Sequence, residues 1–455
     1  MILAAAAPAF GATAPSTIFN VRDYGATGDG KTLDTAAINK AVEACAKAGG
    51  GTVYVPPGTY YTGTIVLQSN VTLNLEAGAT LQTSMSPADF AQVENPWRPG
   101  STSLGPVIWA EDAEKITITG RGTMEGTGEY WWVATAGGLP RPEGVPEVQR
   151  GGDRPQFIRL VRCKDVVIQG ITLHHSASWN IHPLFCENVK VDGVTIESPA
   201  RSQNTDGINP DSCKNVQISN CRIDTGDDCV TLKSGVDAVG REVGKPDENI
   251  AITNCVMMHG HGGVTIGSEM SGGVHNVVIS NCVFQNTDVG IRIKSQRGRG
   301  GVVEGVIGVN IVMQDVPDPF QITTYYHGND KPSDVFPVDE GTPRYHGFLF
   351  NNITARGAKN AGSITGLPEM PIEDITFNNV HIDSASGFIV TDAKGITFLD
   401  CVINPKQGSP LLLGGKTSEV DDKRLSTASK APLTGKAPAL GVKGAILRSN
   451  PATGQ

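Results

Sequence analysis

Charged residues are scarce in this sequence, and the short motifs of several common enzyme classes are missing. Asp, Glu, Lys and Arg make up 18% of the 455 residues, whereas helical bundles need long runs of good helix formers. No CxxC pair, HExxH or nucleophile-elbow pattern occurs, which excludes the enzyme classes built on those motifs. The 55 Gly and 28 Pro residues instead predict a turn-rich, all-β protein.

Long apolar runs and an excess of positive charge are also missing. No stretch approaches the roughly 18 apolar residues that span a bilayer, and the net charge of -9 repels nucleic acids and anionic membranes. We therefore expect neither a membrane nor a nucleic acid as a partner. Residues 1–14 (MILAAAAPAFGATA) are typical of a signal-peptide remnant with an A-x-A site. This predicts a secreted or periplasmic protein, with a disordered Ala-rich tail as the alternative.

The nine cysteines do not form the pattern of a disulfide framework, because their number is odd and the chain is long. Cys221, Cys255 and Cys282 share one context, in which Asn precedes the cysteine and an alternation of apolar residues follows. We interpret them as buried free thiols that stack in a core.

A repeat of strand-forming segments is the strongest signal in the middle of the chain. Its form is Asn, apolar, any residue, apolar, and the clearest copies start at Asn188, Asn215, Asn249 and Asn276. They start 27, 34 and 27 residues apart (188 to 215, to 249, to 276). Short alternating strands separated by Gly, Asn and Asp fill each unit. Such units predict a parallel β-helix, or solenoid, in which each coil buries its apolar face against its neighbours.

The predicted solenoid is a single domain of residues 60–405. Residues 15–59 are expected to form an N-terminal strand and capping helix, because Asp34 is a candidate N-cap and apolar residues follow at helical spacing up to Lys47. Such a helix would cover the open end of the coil, where exposed strands invite aggregation. The periodicity fades afterwards, so residues 406–455 are interpreted as a C-terminal cap or a disordered tail.

Four octets that end in Ser carry the candidate chemistry. TDGINPDS, DDCVTLKS, HGGVTIGS and DVGIRIKS begin at Thr205, Asp227, His261 and Asp288. Apolar residues fill the fourth and sixth positions, so the fifth and seventh point outward, because side chains alternate across a strand. Neighbouring coils lie about 4.7–4.9 Å apart. We therefore expect Asp206 beside Asp228, and Asp227 beside His261, on an outer wall that solvent reaches.

Three carboxylates at this spacing cannot all ionise cheaply, so at least one is expected to have a raised pKa and to keep a proton near neutrality. A protonated carboxyl beside an ionised one is the pair that glycoside hydrolysis uses. His261, Arg292 and Lys294 project from the same predicted face, where positive charge would bind the carboxylates of an acidic sugar chain. Trp179 and His182 precede the octets and are further candidates for sugar contacts.

The motifs together resemble the polygalacturonase family of glycoside hydrolases. They are Asn204-Thr-Asp-Gly, Gly226-Asp-Asp-Cys, Gly260-His-Gly-Gly and Arg292-Ile-Lys. Their order and spacing carry the resemblance, which extends from Phe19 to about residue 400. It implies a single-stranded, right-handed parallel β-helix that hydrolyses α-1,4-linked galacturonate in pectin with inversion, without a metal or another cofactor.

By motif position, the resemblance implies four catalytic residues and three that bind substrate. Asp227 would be the general acid, Asp206 and Asp228 would activate water, and His261 would tune the acid. The substrate-binding residues would be Arg292 and Lys294, which hold the substrate carboxylate, and Asn204, which orders the site.

Some features differ from the fungal members of the family. Cys229 is present, but no cysteine stands just ahead of Gly260, so the usual partner of a disulfide is missing. The segments after the histidine and Arg-Ile-Lys motifs are more similar to bacterial exo-acting members. The insertions at 84–110, 125–155 and 315–347 are long enough to close one end of a groove. We therefore expect an exo-acting enzyme, and a monomer.

Other functions remain open at this point. Rhamnogalacturonan or xylogalacturonan hydrolysis is the nearest alternative. A calcium-dependent pectate lyase would also use clustered carboxylates, which suit hard cations. A non-catalytic β-helix, either an adhesin or a sugar-binding protein, would use the aspartates only as turn residues.

Overall fold

The computed structural model describes residues 17–132, 153–326, 330–331, 333–428 and 431–438. Within these residues the chain forms 36 β-strands, named β1 to β36 in chain order, and two α-helices. Nearly all of the strands pair in parallel with strands of the next coil, so the molecule is the predicted parallel β-helix. The predicted signal-peptide remnant, residues 1–14, lies outside the described residues.

Three parallel ladders, named A, B and C, run along the β-helix. Ladder A contains β1 (Ile18–Asn20), β3 (Gly51–Val55), β6 (Val71–Leu75), β11 (Glu114–Gly120), β14 (Lys164–Gln169), β17 (Glu187–Asp192), β19 (Lys214–Ser219), β22 (Asp247–Thr253), β25 (Val274–Gln285), β27 (Val302–Gln314), β29 (Arg344–Thr365), β30 (Ile372–Thr391), β31 (Ala393–Leu399) and β34 (Ser418–Asp421). Ladder B contains β2 (Asp29–Leu33), β4 (Gly58–Thr62), β7 (Ala79–Thr83), β12 (Thr123–Glu125), β15 (Thr172–His174), β18 (Thr195–Glu197), β20 (Arg222–Thr225), β23 (Val256–His259), β32 (Cys401–Pro405) and β35 (Leu425–Ser426). Ladder C contains β5 (Ile65–Val66), β10 (Ile108–Glu111), β13 (Ile158–Val161), β16 (Ile181–Leu184), β21 (Val230–Leu232), β24 (Val264–Ile266), β26 (Val289–Lys294), β28 (Asp318–Thr323), β33 (Leu411–Gly414) and β36 (Thr434–Lys436). The long strands β25, β27, β29 and β30 take part in more than one ladder.

A few elements lie outside these ladders. The strands β8 (Gln92–Glu94) and β9 (Thr102–Leu104) form an antiparallel hairpin. The helices are α1 (Thr35–Lys47) and α2 (Asp237–Val243), and short 3-10 turns occur at Val21–Tyr24, Pro87–Asp89 and Gly128–Tyr130. No described helix is long and apolar enough to cross a bilayer.

Asparagines keep successive coils in register at one corner. Asn188, Asn215, Asn249 and Asn276 have φ values of 57°, 59°, 60° and 56°, a left-handed conformation that Asn adopts more readily than most residues. Each of the last three side-chain amides donates to the asparagine Oδ1 of the preceding coil, at 3.1, 3.1 and 3.2 Å. The sequence repeat therefore marks this corner, and its spacings are the lengths of successive coils.

The inward side chains form one continuous core along the solenoid. It is mainly aliphatic, and towards the C-terminal end it contains stacked rings: Phe377 lies 5.3 Å from Phe350 and 5.0 Å from Phe398, measured between ring centroids. Burying each such side chain stabilises the fold by roughly 1.5–3 kcal/mol. This packing fixes the strands and hence the direction of the outward side chains.

The N-terminal capping helix is confirmed, although Asp34 acts differently from the prediction. The face of α1 that packs on the first coils consists of Ile38, Ala41, Val42 and Cys45. The Asp34 side chain makes no capping hydrogen bond. Instead it accepts hydrogen bonds from the backbone N–H groups of Thr27 and Gly28, at 2.7 and 3.0 Å. Asp34 therefore stabilises the turn that precedes the helix.

Parallel pairing extends beyond the predicted limits of the solenoid, residues 60–405. At the N-terminal end, β1 pairs with β3 inside the segment 15–59, and β2 of the same segment pairs with β4. At the C-terminal end, β33 to β36 continue all three ladders, so residues 411–428 and 431–436 are further coil. These strands are only two to four residues long, too short to show an alternation in the sequence.

All nine cysteines are free and buried. Cys221, Cys255 and Cys282 each precede strand residues that pair from coil to coil, so they stack as predicted. Cys229 is also unpaired with another cysteine, and the coils are held together without disulfides.

Candidate active site

Ladder C brings the four octets together in the predicted register. Val230 pairs with Val264, and Val264 with Ile291. An isolated bridge joins Ile208 to Val230 and adds the first octet to the same row. Asp206 and Asp228 consequently occupy equivalent positions on neighbouring coils.

Asp206, Asp227 and Asp228 form one cluster, in which a carboxylate oxygen of each lies within 4.8 Å of the others. The prediction of a wall open to solvent was wrong for two of them, since Asp206 is 4% exposed and Asp228 is 1% exposed. Lys233 Nζ lies 3.9 Å from Asp206 Oδ2, and Lys294 Nζ lies 2.8 Å from Asp228 Oδ2, so both carboxylates are packed against lysine side chains. Asp227 is less buried, so it is the member of the cluster that faces open space.

Asp228 is held by two cations. Its Oδ2 lies 2.8 Å from Lys294 Nζ, and its Oδ1 lies 3.4 Å from Arg292 Nη1. Burial by itself would raise the pKa of Asp228, but the charges of Lys294 and Arg292 outweigh this effect and lower the pKa below its ordinary value. The Tyr326 ring packs on both cations, at 4.9 and 5.4 Å from its centroid. Asp228 is therefore ionised.

Asp206 has the opposite electrostatic environment. Burial raises its pKa well above the ordinary value, and the charge of Asp227 raises it further. Lys233 Nζ opposes this shift from 3.9 Å but lies closer to Glu269 Oε2, at 3.1 Å. The charge of Lys233 in turn lowers the pKa of Glu269 to about 2. Asp206 is thus the carboxyl with a raised pKa that the clustering predicted, whereas the resemblance assigned the acid role to Asp227.

His261 lies next to Asp227 and carries positive charge over a wider pH range than a free imidazole. Its Nδ1 is 2.7 Å from Asp288 Oδ2. This hydrogen bond raises the pKa of His261, although burial opposes the shift. The backbone N–H of His261 donates to the carbonyl oxygen of Asp227 at 3.2 Å, so the two residues are directly connected.

Asn204 borders the cluster, where it meets an arginine that the sequence analysis missed. Arg154 Nη2 donates to Asn204 Oδ1 at 2.7 Å, and its Nη1 donates to the Gln203 carbonyl oxygen at 2.8 Å. Burial lowers the pKa of Arg154, while the charges of Asp206 and Asp227 oppose the shift. No local pattern marks Arg154, because it belongs to an insertion without strand periodicity.

His182 lies one coil before the cluster and is buried. Its Nδ1 is 3.0 Å from Gln156 Oε1, and its Nε2 is 3.4 Å from Asp211 Oδ2. Burial lowers the pKa of His182, so the ring is neutral. The Trp179 indole packs on it, with ring centroids 4.8 Å apart.

A cavity of about 490 Å³ adjoins the cluster. Its floor is ladder C, including His182 and Lys233, and its wall is the β8–β9 hairpin. Trp97 in the hairpin donates from Nε1 to Asp211 Oδ2 at 3.0 Å. The Trp97 ring packs so closely on Gly235 that a Cβ there would come within 2.5 Å of it. The hairpin is thus fixed over the groove, at an insertion whose length was noted but whose contacts had no sequence signal.

A family model and two proteins of known name match most of this chain. The family model described as Glycosyl hydrolases family 28 matches residues 45–403. A probable polygalacturonase of Vitis vinifera is 34% identical over 409 residues, 85% of this chain and 80% of that protein. An exo-poly-alpha-D-galacturonosidase of Dickeya chrysanthemi is 28% identical over 432 residues, 85% and 71% of the two chains.

A solved structure agrees with these sequences. The exopolygalacturonase of Thermotoga maritima superposes with a TM-score of 0.72 at 31% identity, over 90% of this chain and 92% of that one. The family match covers most of the chain and contains all three clustered aspartates. This protein is therefore a glycoside hydrolase that belongs to glycosyl hydrolases family 28.

Proposed function

We propose that this protein hydrolyses the α-1,4 linkage between galacturonate units of pectin, from a chain end, by a metal-independent inverting mechanism. One observation carries the proposal: within a single cluster, Asp228 is ionised against Lys294 and Arg292, while burial gives Asp206 a raised pKa. A carboxyl that keeps its proton beside one that has lost it is what acid–base cleavage of a glycosidic bond requires.

The three aspartates have different proposed roles. Asp227 is the least buried, so it donates a proton to the glycosidic oxygen, and the positive charge of His261 stabilises the carboxylate that remains. Asp206 and Asp228 lie deeper and hold the attacking water. In the resting cluster Asp206 holds the proton and passes it to Asp227 before cleavage, a step that the short separation of these carboxyls permits. Asp206 is then ionised and takes the proton that the attacking water loses, which restores the resting state.

The proposed inversion of configuration rests on how Asp228 is held. Inverting enzymes usually separate their carboxyls by roughly 6.5–9.5 Å, and retaining ones by about 5–5.5 Å, whereas this cluster is within 4.8 Å. We nevertheless propose inversion, because Lys294 and Arg292 occupy both oxygens of Asp228. A carboxylate held in this way is a poor nucleophile but a good anchor for water. Proton NMR of the first-formed anomer tests this point, and a retained configuration would contradict it.

Arg292 and Lys294 also provide the site for a substrate carboxylate. Arg292 Nε donates to Gln321 Oε1 at 3.2 Å, which orients the guanidinium, and its remaining N–H groups can bind a carboxylate in two places. A neutral sugar would not use these charges. The site therefore favours a galacturonate backbone over the mixed backbone of rhamnogalacturonan. Xylogalacturonan has a galacturonate backbone with added xylose side chains, so these charges do not distinguish it.

The charges that already contact the cluster support the proposed metal independence. Three carboxylates could in principle bind Ca²⁺, which takes six to eight oxygen ligands. Lys294 Nζ at 2.8 Å and Lys233 Nζ at 3.9 Å would repel such an ion. We expect EDTA to leave the activity unchanged, and the products to lack the ultraviolet-absorbing unsaturated end that a lyase forms.

Exo action is supported by the hairpin that closes the groove beside the cluster. Because residues of the β8–β9 hairpin line the cavity beside ladder C, we expect the hairpin to stop a long polymer on that side. The proposed substrate is pectic polysaccharide or a galacturonate oligosaccharide, and secretion and a monomeric state remain predictions.

Product analysis on polygalacturonate is the decisive experiment. We expect short products of a single size from the first minutes, with little loss of viscosity. A ladder of mixed oligomers would contradict exo action. If the protein cleaves a branched pectin but not polygalacturonate, the branched pectin becomes the proposed substrate. If it cleaves no pectin, a non-catalytic binding protein is favoured.

A further inference from the structure

Arg159 is a buried cation in the wall of the cavity, and its hydrogen bonds are incomplete. It lies on β13, is 7% exposed and lines the cavity beside the hairpin. Its Nε has no partner among the described residues. The one hydrogen bond that the described residues provide joins Nη1 to Ser103 Oγ, at a long 3.5 Å. The guanidinium packs on Trp109, 5.6 Å from the ring centroid.

A buried guanidinium in this state is unfavourable for folding. A charge removed from water is costly unless it is paired and hydrogen-bonded. Asp211, the acid whose charge acts most strongly on Arg159, is already engaged by Trp97 and His182. By contrast, Arg162 on the neighbouring turn is exposed and well paired, at 2.7 Å from Asp112 and 2.5 Å from Glu111.

The position of Arg159 relates it to the catalytic cluster. Side chains of ladder C form one outward row, in the order Arg159, His182, Asn209, Thr231, Thr265 and Arg292. Arg159 is two coils, or roughly 10 Å, before the coil of Asp206. Arg292 is two coils after the coil of Asp228. The aspartates therefore lie between two arginines of the same row.

We propose that Arg159, with Ser103 of the hairpin, binds the carboxylate of the terminal uronate unit in the cavity. The enzyme then recognises two carboxylates of its substrate, one on each side of the cut, and requires a charged chain end. This inference rests on the proposed function. It adds a residue that determines specificity, at a site distinct from Arg292 and Lys294.

The test compares trigalacturonate with a trigalacturonate that is methyl-esterified only on the terminal unit that enters the cavity, in the wild type and in Arg159→Met. Loss of a charge-assisted hydrogen bond should lower kcat/KM for trigalacturonate roughly 10- to 100-fold, mostly through KM. The ester has no terminal carboxylate to lose, so its kcat/KM should change less than about threefold. The ratio of kcat/KM for trigalacturonate to kcat/KM for the ester therefore falls in Arg159→Met by nearly the same factor as kcat/KM for trigalacturonate. Arg162→Met, three positions away, is the matched control and should leave both substrates unchanged.

The outcomes separate the inference from the proposed function. If wild-type enzyme fails to cleave trigalacturonate and polygalacturonate, the proposed function is wrong. If it cleaves them and Arg159→Met keeps the wild-type ratio, only the role of Arg159 is wrong. Thermal melting checks folding: the variant should melt at or above the wild-type temperature, because a buried charge is removed. If it is unfolded instead, Arg159→Lys and Ser103→Ala are measured, and an unchanged ratio in both would overturn the inference.

Discussion

Two rows of outward side chains, one on ladder A and one on ladder C, arrange charge in opposite ways. On ladder A, Lys164, Glu187, Lys214 and Glu248 pair in this order from coil to coil, so the sign of the charge alternates. Lys164 Nζ is 3.4 Å from Glu187 Oε2, and Lys214 Nζ is 2.9 Å from Glu248 Oε1. The two lysines are exposed and the two glutamates are partly exposed, and their neighbours neutralise them.

On ladder C, like charges are placed together and removed from water. Asp206 and Asp228 are neighbours, Asp227 adjoins both, and the compensating lysines, Lys233 and Lys294, are themselves buried. Alternation on an exposed row minimises repulsion, whereas a buried acidic cluster forces the pKa values of its members apart. The same coil geometry thus produces a passive surface on one face and a reactive site on another.

The largest expected difference concerns catalysis. Asp227→Asn removes the proposed proton donor and should lower kcat on polygalacturonate roughly 10²- to 10⁴-fold, with the fold intact by circular dichroism. Glu187→Gln on ladder A is the matched control, since it also neutralises one outward carboxylate, and should leave kcat within twofold. Equal losses in the two variants would remove the distinction between the rows.

A smaller effect concerns stability and its dependence on pH. Burial raises the pKa of Asp206, so its contribution to stability is present below the ordinary value of 3.8 and is lost as the pH rises through the raised value. Asp206→Asn should therefore be more stable than the wild type at neutral pH, by roughly 0.5–2 kcal/mol. The gap should close towards pH 3.8. Denaturant unfolding at several pH values measures this difference in the free energy of unfolding. A wild type that is more stable than Asp206→Asn at every pH would contradict the claim that burial destabilises the ionised carboxyl.

The smallest effect belongs to the alternating row. Lys164→Met removes one partner of an exposed ion pair and should lower the free energy of unfolding by no more than about 1 kcal/mol. Activity should not change, because Lys164 is on another face of the coil. Urea titration and initial rates check both points, and a loss of several kcal/mol would mean that ladder A is more than a passive surface.

Much of the fold followed from local patterns. The asparagine repeat predicted the coil length, since each Asn occupies a corner that needs a positive φ. The alternation within the octets predicted which residues face outward, and their alignment predicted that Asp206 and Asp228 would be neighbours. These features depend on residues within a few positions of one another, or on a constant period, so the sequence displays them directly.

Other features depend on segments that are distant in the chain and lack a period. Arg154, Arg159 and Trp97 lie in or beside insertions, and nothing in their local sequence indicates that they meet ladder C. Asp34 occupies the predicted N-cap position, but its side chain accepts hydrogen bonds from the turn before the helix. The sequence did not distinguish these two uses of the side chain.

The sequence alone therefore determined that a solenoid forms, where its coils turn and which acidic side chains line up on its outer face. Only the tertiary structure decided how deeply those side chains are buried, which cations reach them and where the groove is closed. The reason is physical: strand alternation and coil period are properties of the local backbone. A shifted pKa, in contrast, depends on how much water is excluded by residues brought in from elsewhere in the chain.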